Sequence, residues 1–177
     1  GLAPAGDAEG SYFQTWEERD ADNPGHMITM TNVIGVIPGQ KPEWAKQSVV
    51  IGAHYDHLGD GSVGAKKENK GKIHPGADDN ASGVAVLIEL ARVLAKDMKP
   101  ARNIVFVAFT GEEAGKIGSK YYAANEKRYP VQQSVGMLNL DTVGRMQKNR
   151  LLILGAGSAR EWVHIFRGAG YLAGAEV

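Results

Sequence analysis

Residues 48–54 (SVVIGAH) and 103–109 (NIVFVAF) form two short runs dominated by apolar residues. Such a segment offers water no polar face and reads as a strand covered on both sides. Between them, residues 82–97 (SGVAVLIELARVLAKD) put Val84, Leu87, Ile88, Ala91, Leu94 and Ala95 at the i, i+3, i+4 spacing of a helix. Glu89, Arg92 and Lys96 turn outward from that stripe. A buried strand, a covering helix and another buried strand constrain the chain to an α/β fold. The expectation is a three-layer open sheet, mainly parallel in its centre, with helices on both faces. Further strands are expected at 32–39, 135–140 and 150–157, with helices through 113–127 and 158–167. Residues 1–10 read as a frayed start, and residues 59–75 as a polar loop over one rim of the sheet.

The chain has 177 residues, long enough for one domain with a full core. Twenty Lys and Arg balance twenty Asp and Glu, so no overall field favours nucleic acid or an anionic membrane surface. No run of about 18 apolar residues is present to span a bilayer. With no cysteine, thiolate catalysis, thiolate-held zinc and disulfides are excluded, and any metal falls to His, Asp and Glu.

Those residue types collect at one place. His54 ends one predicted strand, Glu112 and Glu113 follow a second, Asp141 ends a third, and Asp78 and Asp79 open the helix after the first. All fall on the carboxyl edge of the sheet, where strand ends and helix N-termini converge on ligands. Singly, each has a structural explanation, such as an acid answering a helix dipole. Together, so many carboxylates with so few bases call for a cation, and imidazole with carboxylate suits zinc or a similar divalent ion.

Four motifs, GAHYDHLG, GADDNASG, TGEEAGKIGS and LNLDTVG, in that order and at those separations, resemble the co-catalytic di-zinc exopeptidases. That family includes bacterial leucyl aminopeptidases and the ectodomain of glutamate carboxypeptidase. The resemblance covers residues 32–157. It implies His54, Asp78, Glu113 and Asp141 as zinc ligands, with Asp78 bridging two ions, His54 and Asp141 completing one, and Glu113 serving the other. It implies Glu112 as general base towards a metal-bridging water, and Asp56 as the acid that receives the His54 ring N–H. Asp79 is read as shaping the turn, and His57 and His74, near the same rim, as loop residues first, with a metal or substrate contact as the alternative.

The family's last ligand is a further His near its domain's C-terminus. The one His after Asp141 is His164, which reads as an amphipathic helix residue. The expectation is therefore an N-terminal segment over 1–31 and, over 32–177, the N-terminal part of a zinc peptidase catalytic domain, incomplete on its C-terminal side. One strong zinc site, little activity, and self-association or a C-terminal complement through an exposed sheet edge follow from that. The function implied is a metallo-exopeptidase acting on peptides, an aminopeptidase first. A carboxypeptidase, a glutaminyl-cyclase-like acyl transferase and a non-catalytic binding module are the alternatives. By resemblance the location is secreted or periplasmic.

Overall fold

The structure is a computed structural model that describes all residues except 21, 22, 24, 62, 63 and 147. Six strands, β1 (Ala3–Pro4), β2 (Phe13–Arg19), β3 (Met27–Ile37), β4 (Ser48–His54), β5 (Asn103–Phe109) and β6 (Ser134–Asn139), form one sheet in the order β1-β3-β5-β4-β6, with β2 also on β3. The sheet is mixed. β4 runs parallel to both β5 and β6, whereas β3 is antiparallel to β1, β2 and β5.

The strand period of two builds two cores from one sheet. Along β5, Val105, Val107 and Phe109 join Ile34, Val36, Val50 and Tyr122, the last from helix α2 (Ile117–Asn125). The intervening Ile104 and Phe106 join Ile51, Ala53 and Leu87, the last from helix α1 (Gly83–Asp97). α1 and α2 therefore cover opposite faces, which is why β4 and β5 are apolar along most of their length. α1 packs Val84, Leu87, Leu90, Ala91, Leu94 and Ala95 inward. Ile88, expected on that stripe, is instead 63% exposed.

Three buried asparagines fasten the connections. Asn32 donates to Gln14 Oε1 and the Gly118 carbonyl and accepts from the Thr110 amide, joining β2, β3, the end of β5 and α2. Asn103 accepts from the Gly39 amide and donates to the carbonyls of Ala45 and Gln47. The third, Asn80, lies at the candidate site.

Three expectations are corrected. The first ten residues are not frayed: Ala3 and Pro4 pair with Val36 and Gly35, and Ala5 is fully buried. Their small side chains let an irregular segment lie against the sheet margin. Residues 150–157 do not form a strand. Arg150 makes one isolated bridge to Glu176, and Leu152 and Leu154 are 82% and 84% exposed, so no sheet takes up their apolar surface. The boundary expected after residue 31 falls inside β3. Gly1–Thr142 form one compact unit and Val143–Val177 a second, which contains helix α3 (Arg160–Ala173).

Candidate metal centre

His54 is the last residue of β4 and is 2% exposed. Its Nε2 lies 3.1 Å from Asp79 Oδ1 and 3.6 Å from Asp141 Oδ1. Its Nδ1 lies 3.1 Å from the Asp56 carbonyl oxygen, which accepts a hydrogen bond in the tautomer that leaves Nε2 facing the acids. Burial, the largest influence on this ring, favours its neutral form. Asp141, the Asp56 carbonyl, and the Asp56 and Glu112 carboxylates outweigh it and raise the His54 pKa above the usual imidazole value.

Asp141 follows β6 closely, and Asp79 comes from the turn Ala77–Ser82 that leads into α1. In that turn the backbone leaves helical geometry at Asp79 (φ −111°, ψ 94°) and Asn80 (φ −136°, ψ 35°), and the bond between them is cis. Asn80, buried, donates through Nδ2 to the carbonyls of His54 (3.2 Å) and Leu140 (2.9 Å). Its Oδ1 accepts from the amides of Gly83 (3.1 Å) and Thr142 (3.2 Å). One side chain thus binds the end of β4, the segment after β6 and the start of α1, and all its hydrogen-bonding capacity is used.

The acidic pair after β5 is held as firmly. The chain turns at Gly111, in the left-handed region at φ 63°, which glycine adopts without a Cβ clash. Asp56 Oδ1 then accepts the Glu112 amide at 3.1 Å and Oδ2 the Glu113 amide at 3.2 Å. Glu113 Oε1 lies 2.8 Å from His57 Nδ1. Burial pushes the Glu112 carboxyl above its usual range. His54 opposes this, and Glu113, Asp141 and Asp56 add to it.

Two sets of donor atoms emerge, each gathered within 4.8 Å: His54, Asp79 and Asp141, and His57, Asp79 and Glu113. Asp79 belongs to both. Glu112 belongs to neither but is close enough to influence His54. The sets fit a divalent ion. Ligands at about 2.1 Å from zinc in tetrahedral array stand about 3.4 Å apart, close to the spacings around His54 Nε2. Imidazole with carboxylate oxygen and no thiolate is a donor chemistry that zinc accepts.

Set against the sequence, the structure brings His54, Glu113 and Asp141 into these sets and Glu112 beside them. Within the aspartate pair the geometry selects Asp79 where Asp78 was expected. Asp78 enters neither set, and its carbonyl accepts the Ser82 hydroxyl at 2.6 Å. Two adjacent aspartates look alike in sequence, and only the irregular backbone at 79–80 decides which one faces the strand ends. Asp56 is close to His54 as expected, but the nearer contact is its carbonyl. Its carboxylate oxygen is 3.6 Å from His54 Nδ1 and holds the Glu112–Glu113 backbone. His57, read first as a loop residue with a metal or substrate contact as the alternative, falls in the second set. His74 contacts the Asn69 carbonyl and the edge of the His57 ring and enters neither set. His164 lies on α3 in the second compact unit, outside both sets.

The family model of peptidase family M28 matches residues 32–177. The chain belongs to this family. Among M28 relatives, it is 37% identical over 124 residues to leucine aminopeptidase 1 of Trichophyton rubrum, covering 67% of this chain and 30% of that protein. The solved structure of a zinc aminopeptidase from Bacillus subtilis aligns with a TM-score of 0.64 at 29% identity, over 84% of this chain and 34% of its own. The glutaminyl cyclase of Porphyromonas gingivalis shares the fold, with a TM-score of 0.69 at 24% identity over 91% of this chain and 57% of its own. The M28 chain thus spans about 30% of the length of the curated relatives it matches first.

Proposed function

We propose that this site is the zinc centre of an exopeptidase, an aminopeptidase first, acting on the N-terminal residue of peptides. The observation that carries the reading is Asp79, one carboxylate shared by two imidazole-and-carboxylate sets, with the uncommitted Glu112 beside them. His54, Asp79 and Asp141 would hold one ion, with Asp79 and Glu113 serving a second. Zinc, when bound, lowers the pKa of water towards neutrality and polarises a carbonyl.

The chain's own residues do the rest. Glu112, with its pKa raised by burial, accepts a proton from the attacking water and returns it to the leaving amine. Asp56 fixes the backbone of Glu112 and Glu113 by accepting both amides, so Glu112 would be free to move protons while Glu113 would serve as a ligand. Asn80 holds the strand ends from which His54 and Asp141 project. Names of relatives such as leucine aminopeptidase and zinc aminopeptidase support the substrate class. Secretion or a periplasmic location belongs to the same reading and rests on the family resemblance.

The test pairs metal content with turnover of an aminoacyl anilide, an acyl-capped peptide and an N-terminal glutaminyl peptide. We expect bound zinc and preference for the free-amine anilide. Glu112→Gln should keep the metal and lower turnover by about two to four orders of magnitude. Well-folded protein that takes up no zinc sinks the zinc reading. Preference for glutaminyl cyclisation moves the site to the acyl-transferase alternative, and preference for the capped substrate moves it to the carboxypeptidase one.

A further inference from the structure

We infer that Asn32, with Gln14 behind it, is a positioning residue for the acid pair Glu112 and Glu113. This rests on the zinc reading above, in which Glu112 moves protons and Glu113 serves as a ligand, and adds a residue that acts through their loop alone. Asn32 is fully buried in β3, and the register of β3 with β5 runs only as far as Val33 and Ala108. Past that point a side chain takes over from the backbone ladder. Asn32 Oδ1 accepts the Thr110 amide at 3.1 Å, and Nδ2 donates to the Gly118 carbonyl at 2.9 Å. Thr110 and Gly118 are the two feet of the loop that carries both glutamates.

From those feet the loop is laced upward. The Gly118 amide donates to the Thr110 carbonyl at 3.0 Å, Ile117 to Gly111 at 2.8 Å and Lys116 to Glu112 at 2.8 Å. Each rung hands on the position of the one beneath it, so the Asn32 amide sets where the first acid stands. Asp56 then accepts the amides of both acids at the far end of the ladder. The clamp is tight: a Cβ at Gly118 would collide with Asn32 Oδ1 and with the Thr110 carbonyl oxygen. Gln14 stands directly opposite Asn32 in the pairing of β2 with β3, and its Oε1 accepts the other Nδ2 hydrogen at 2.9 Å. With both donors and the acceptor engaged away from water, the amide holds one geometry.

The competing role is that of a plain core fastener, whose loss weakens the whole fold evenly. Amide exchange in the labelled 177-residue chain without metal separates the two. In the unaltered chain the Thr110 amide, one residue beyond β5, should exchange as slowly as those of β5 itself. Asn32→Asp keeps the acceptor for Thr110 and loses both donated bonds. Gln14→Leu removes only the partner that orients the amide, and serves if Asn32→Asp folds poorly. In either variant the amides of residues 110–118 should exchange about tenfold faster relative to those of β4 and β6, the worth of one hydrogen bond in a local opening. In protein that turns over the aminoacyl anilide, kcat should fall by about 10–100-fold with KM unchanged, as for partners that orient a reacting group. A freely exchanging Thr110 amide in the unaltered chain, even acceleration across loop and sheet, or an unchanged kcat beside a loosened loop overturns the positioning role and leaves the zinc reading standing. Failure to take up zinc sinks that reading instead, and the exchange ratio then decides alone whether Asn32 sets the pair.

Discussion

At the scale of single residues, the site turns on which of two adjacent aspartates faces the strand ends. Asp79→Asn should abolish tight zinc binding, since its carboxylate belongs to both donor sets, while Asp78→Asn should leave the metal content close to that of the parent. Metal analysis after gel filtration reads the difference, and the reverse result would restore Asp78 as the bridge. A second residue offers a prediction away from the site. The Tyr122 hydroxyl is buried and, among the described residues, has no hydrogen-bond partner, although its ring packs edge-on against Phe109. Tyr122→Phe should raise stability by about 1 kcal/mol in denaturant unfolding, because it removes a desolvated hydroxyl without opening a cavity. Burial raises this phenol well above its ordinary value. It stays neutral in the fold but ionises in the unfolded chain above about pH 10, so its contribution is complete below that pH and is lost as pH rises through the raised folded value. The gain should therefore be measured near neutrality. The placement of His54, Glu112, Glu113 and Asp141 at one sheet edge was legible because each sits at the end of a strand or within four residues of it. The choice between Asp78 and Asp79 was not, because it depends on the backbone conformation of Asp79 and Asn80 in a turn without periodicity.

At the scale of elements, the connections matter more than the strands they join. Asn80→Ala would strip partners from two carbonyls and two amides at the meeting point of β4, α1 and the segment after β6. We expect a loss of about 3 kcal/mol in chemical unfolding together with weakened zinc binding. A change under about 0.5 kcal/mol would mean that the turn holds itself without this side chain. β4, β5 and α1 were read correctly because burial on both faces or on one stripe imprints a period on composition. β1 was missed because Ala3 and Pro4 carry no such period and are held by an edge and by their small size. Residues 150–157 misled for the opposite reason: an apolar run reads as a strand whether or not a neighbour accepts it. Ile88 fell on the expected helical stripe, yet Leu90 packs inward and Ile88 does not, a rotation of the buried face that the i, i+3, i+4 pattern alone does not resolve.

At the scale of the molecule, every residue of the two donor sets lies in the unit Gly1–Thr142. Zinc should therefore stabilise that unit selectively. At about a thousandfold excess over the dissociation constant the gain is about 4 kcal/mol, or roughly 10 °C in midpoint for a unit of this size. Calorimetry with and without chelator should show this shift in the transition of the first unit and none in that of Val143–Val177. An equal shift of both would mean that the two units unfold as one. The same partition explains why the motifs were readable as an ordered series while the architecture after Asp141 was not: the motifs all belong to a single sheet edge, and the second unit carries none of them. The hydrogen bonds of Asn80 also govern the order of events as the chain folds. They join residues 26, 60 and 62 positions apart, and β4 pairs in parallel with strands that lie far along the chain on its C-terminal side. Contacts of such long range form slowly, because closing the intervening chain costs entropy before any pairing offsets it. The set that includes Asp141 is thus complete only once β6 has docked. A ribosome-bound chain that has not yet released Asp141 would present His54 and Asp79 without their third partner.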